Sequence, residues 1–76
     1  MKYLIEQDIR ALEIELSKLN KIKEKIKIDL KKYESFGKGF EGDVNFFKRE
    51  LADVDKDISR YKNKVDELKR EVNLNY

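Results

Sequence analysis

At 76 residues, 45% of them charged and 39% hydrophobic, the chain lacks the apolar content to surround a broad core and suits long helices that bury a narrow stripe. Cysteine and histidine are both absent, which excludes a disulfide framework, a thiolate metal site and the usual general base. A formal net charge of +2 is nearly balanced, short of the clustered basic excess that marks nucleic-acid binders.

The first predicted helix covers residues 3–35. Ile5, Leu12, Leu19, Ile26 and Tyr33 take the d positions of a heptad, and Ile9, Leu16 and Leu30 take a positions. Lys23 fills the remaining a position. It reads either as a snorkelling lysine whose ammonium reaches Asp57 or Asp53, or as a register device. Its opening residues, "MKYLIEQDIR", carry acids early and no long apolar centre, unlike a secretory signal. No apolar run nears the roughly 18 residues a membrane span needs. A cytoplasmic protein is expected, with signal-less export as a further route.

Three isoleucines of this helix lie off the seam, Ile14 and Ile28 at f and Ile22 at g. They predict a covered flank, by a partner protein or by a second hairpin in a four-helix homodimer. The run 18–32, "KLNKIKEKIKIDLKK", carries seven lysines and two acids. It supports an alternative, binding to nucleic acid or an anionic membrane through its Lys-rich face. Arginine and interleaved aromatics are missing from the run, and acids of the second helix fold back over it, so neither partner is the leading expectation.

Residues 36–43 form the predicted connection. All three glycines and all four phenylalanines fall within 35–47, "SFGKGFEGDVNFF". Gly37 supplies the left-handed residue that ends the first helix. Gly39 and Gly42 give the turn its freedom, and Asp43 is placed to cap the second helix. Phe36, Phe40 and Phe46 close the end of the seam beside Tyr33 and Phe47, as a cap or as a recognition tip.

From 44 to 73 the heptad runs without error, with Val44, Leu51, Ile58, Val65 and Val72 at a and Phe47, Val54, Tyr61 and Leu68 at d. Two such stripes joined by a short connection predict an all-α, two-helix antiparallel coiled-coil hairpin. Its layers pair Tyr33 with Val44, Ile26 with Leu51, Leu19 with Ile58 and Ile5 with Val72, and Lys23 lies opposite Val54. Flanking e positions bring opposite charges together: Glu6 with Lys69, Glu13 with Lys62 and Lys69, Lys27 with Asp55, and Glu34 with Lys48. The g edge, by contrast, is acidic on both helices, which asks for screening or for something basic.

Catalysis is not expected. Asp55 and Asp57 are two apart on a helix and diverge. "FGKGFEG" has neither the spacing nor the strand of a phosphate loop. No metal, cofactor or small-molecule substrate is implied.

The arrangement of helix, aromatic-x-Gly turn and helix resembles the small Trp-x-Gly helical-hairpin proteins of type VII secretion. Phe40-Glu41-Gly42 stands at the Trp-x-Gly position and Phe46 or Phe47 at the later aromatic. Phenylalanine replaces tryptophan here, and Tyr61 is followed four residues on by Val65 rather than by an acid, so the Tyr-x-x-x-Asp/Glu export signal is not formed. The resemblance implies a non-enzymatic hairpin that dimerises or chaperones a secreted partner. The residues alone imply a protein–protein interaction module, of which a phage-type inhibitor of a larger protein is another form. Expected partner contacts are Ile14, Ile22, Ile28, Phe36, Phe40, Gly42 and Phe46, with Lys23 setting register.

Overall fold

The computed structural model describes residues 2–75, with side chains from 3 to 73. Helix α1, Lys2–Ser35, and helix α2, Glu41–Asn75, pack side by side as an all-α hairpin, with no strand among the described residues. The molecule measures 58 × 14 × 12 Å. Its radius of gyration is 17.2 Å, against about 11 Å for a compact chain of this length.

Heptad periodicity explains the pairing. Among the described side chains, every a and d position from Ile5 to Tyr33 and from Val44 to Val72 is buried or half-buried. Ile26, Val54 and Ile58 form the centre of the core, with Leu16, Leu19, Phe47 and Leu51 packed around them. Ile9 and Val65 bury a second patch toward the open end. With only two helices, each seam residue keeps one lip toward water. Ile58 and Val65, 5% exposed, are the most enclosed. The stabilisation per residue is therefore below the roughly 1.5–3 kcal/mol of a fully buried aliphatic side chain.

The connection is shorter than the sequence implies, residues 36–40 rather than 36–43. Gly37, at φ 78°, ends α1 as expected, and its N–H donates to the Glu34 carbonyl at 3.4 Å. Gly39 is also left-handed, at φ 99°. The start of α2 corrects the expected cap at Asp43. Val44 N–H already donates to the Phe40 carbonyl at 2.9 Å, which makes Phe40 the capping residue. Glu41 reaches back to accept the Gly39 N–H at 2.9 Å, and with Asp43 it puts negative charge in the first turn of α2. Gly42 is helical, without positive φ, so the turn does not use its freedom.

Candidate docking surfaces

Lys23 is held in the seam by an ion pair not anticipated in detail. Its Nζ lies 2.7 Å from Asp55 Oδ1, not beside Asp53 or Asp57. Heptad geometry gives the reason. An a-position side chain sits on the e side of the seam, and in an antiparallel pair e faces e, so the e-position Asp55 is within reach. Asp57, on the opposite edge, pairs with Arg60 at 3.2 Å. Lys27, expected at Asp55, turns to Glu24 of its own helix at 3.7 Å. On the same e side, Lys69 and Glu13 meet across the helices at 3.7 Å, as expected. The two aspartates thus serve different cations and converge on no common point.

The tip is an aromatic cluster centred on Tyr33. Its ring stacks on Phe47 at 5.4 Å, meets Phe36 edge-on at 5.5 Å and touches Phe40 at 5.9 Å. Phe36 and Phe40 also contact each other, and Phe46 lies edge-on to Phe47. Such pairs add about 0.5–1.5 kcal/mol beyond the area they bury. Phe36, Phe40 and Phe46 nevertheless stay substantially exposed, so the cluster closes the seam and offers an outward apolar surface. Gly42 lies beside this surface, with open space where a Cβ would stand.

On the back of α1, Ile14, Ile22 and Ile28 are 58%, 48% and 67% exposed. Leu4, also exposed, extends the flank toward the helix start. It is a c position of the heptad, ten residues before Ile14 and thus nearly three turns beyond the isoleucines. A shallow groove of about 750 Å³ follows this helix past Ser17, Asn20, Glu24 and Ile28. All of its walls come from α1, so it is an open helix surface and not an enclosed chamber. The back of α2, at Arg49, Lys56, Asn63 and Arg70, is polar throughout and exposed.

The lysine run is partly neutralised within the hairpin. Lys18 pairs with Glu15 at 3.4 Å, Lys23 with Asp55 and Lys27 with Glu24. Lys21, Lys25, Lys31 and Lys32 are exposed. No group of acids among the described residues is arranged to hold a metal ion, and no described helix is long and apolar enough to cross a membrane. Comparison with known protein families, characterised proteins and solved structures returns no match.

Proposed function

We propose that this chain is a non-enzymatic protein–protein interaction module that docks through the outer flank of α1. One observation carries the reading: the exposed isoleucines at 14, 22 and 28 lie on one helix, away from a seam that is already satisfied, while the back of α2 carries none. Folding gains little from apolar side chains left in water, whereas a partner that covers them gains roughly 25 cal/mol per Å². The Phe tip is a second contact area of the same module. The secretion-partner form rests on Phe40-Glu41-Gly42 at that tip, and the inhibitor form on either surface. The reading takes the cytoplasm as its compartment, which fractionation of producing cells checks.

The test is a photo-crosslinking side chain placed at Ile28 and, separately, at Arg60 on the far side of α2, in cells that make the protein. A discrete product from position 28 and none from position 60 is the expected result. Absence of any product from position 28 at saturating illumination overturns the reading. Binding to polyanions that falls steeply with added salt would instead assign function to the Lys-rich face.

A further inference from the structure

The flank of α1 also carries a charge pattern that names its partner. Asp8, Ala11, Glu15, Lys18, Ile22 and Lys25 recur at steps of three and four and are all exposed. Each precedes a seam residue by one, so their stripe is turned by about 100° from the seam and is not covered by α2. From Asp8 to Lys25 the stripe reads acid, small apolar, acid, base, apolar, base, and one step further out the same register sets Leu4 against Asp29, outside the complementary stretch. Signs invert about a point between Leu16 and Ser17. That inversion is the signature of a surface complementary to itself in antiparallel orientation.

We infer that the partner of this surface is a second copy of the chain, bound antiparallel through α1 about a two-fold axis at Leu16–Ser17, and this rests on the docking role proposed above. In that register Asp8 faces Lys25 of the second copy, Glu15 faces Lys18 of the second copy, and Ala11 faces Ile22 of the second copy. The two-fold repeats each pairing, as an isologous interface requires. Glu15 and Lys18, which are 3.4 Å apart within one chain, lie beside the axis and exchange partners without leaving either charge unpaired. A parallel dimer sets Asp8 on Asp8, Glu15 on Glu15 and Lys18 on Lys18, and is repelled. The other flank of α1 fails the same test, since antiparallel pairing about its own centre brings Glu13 to Glu24 and Arg10 to Lys27.

Surface area agrees. The accessible surface is 6008 Å², whereas a compact monomer of 9.1 kDa exposes about 4,900 Å². The excess reflects the rod shape, 58 × 14 × 12 Å, and leaves α1 room to contribute the roughly 800 Å² of a standard interface. Covering the stripe also shields part of Ile14 and Ile28 at its margin.

Charge reversal supplies the test. D8K/E15K makes the stripe wholly basic, and K18E/K25E makes it wholly acidic. Light scattering from micromolar to near-millimolar protein should give wild type twice the 9.1 kDa chain mass. Each variant alone should stay at one chain mass, and a 1:1 mixture should return to two. A monomeric wild type overturns the inference, as does a D8K/E15K variant that still dimerises alone. Should either variant lose its helical circular dichroism, A11C/I22C replaces it. The natural chain has no cysteine, so oxidation must yield a covalent dimer, and failure to do so overturns the register. A monomeric wild type together with a heavier crosslinked product at position 28 removes the second copy and leaves the docking role standing.

Discussion

The two helices contribute alike to the seam and differ on their backs. Both supply a or d residues at every turn, and the five buried side chains are divided between them, Ile9 and Ile26 from α1 and Val54, Ile58 and Val65 from α2. Behind the seam, α2 shows Arg49, Lys56, Asn63 and Arg70, while α1 shows Ile14 and Ile28 with Lys21 between them. Folding dictates the inner stripes, because a residue that fails to pack there removes a layer. It makes no comparable demand on the backs. An apolar side chain on the back of one helix alone is therefore a residue without a folding role, and the contrast separates what builds the hairpin from what it presents.

Substitutions sharpen that contrast. The largest effect belongs to the seam: Ile58→Ala should cost about 2–4 kcal/mol, read by urea unfolding at dilute protein, and a loss near zero would show that the centre of the core lies elsewhere. Next comes Gly37→Ala, which forces a Cβ into a left-handed conformation and should cost about 1–2 kcal/mol in the same assay. Gly42→Ala goes the other way. The position is helical and open, so melting should show a gain of up to about 1 kcal/mol, and a loss would mean that the glycine is needed at the tip. The smallest effect is predicted for Ile28→Ser, within about 0.5 kcal/mol in hairpin stability at concentrations where chains are separate. The dimer should instead be lost with Ile22→Ser, whose side chain meets Ala11 of the second copy, and a seam substitution of equal size could not do that selectively.

Much of the fold was legible because one period governs it. The 3.5-residue repeat gave the seam, the antiparallel pairing and the polar exception at Lys23, and Gly37 marked the end of α1. Helix entry was less legible, because the backbone and not side-chain capping sets where α2 begins. Asp43 has the right chemistry for a cap, but Phe40 offers its carbonyl first and Glu41 takes the Gly39 donor. The partner of Lys23 is not legible from spacing alone: Asp53, Asp55 and Asp57 are all close in sequence, and only the handedness of the seam selects Asp55. For the docking surface, the isoleucines were visible as exceptions. The sign inversion from Asp8 to Lys25 emerges only once α2 is placed and the stripe beside the seam is known to be open.

The single line of contact between α1 and α2 has a mechanical consequence. Both helix ends remote from the turn lie at one extremity of a rod 58 Å long, and the aromatic tip lies at the other. A pull that separates those ends loads one layer at a time, from Ile5 and Val72 inward, and never the whole seam together. The hairpin should open as a zipper at low force, pausing where Ile26, Val54 and Ile58 concentrate the packing. Pulled along its axis from the tip and one open end, the same molecule carries the force through the backbone of a single helix, and the layers of the seam are not peeled apart.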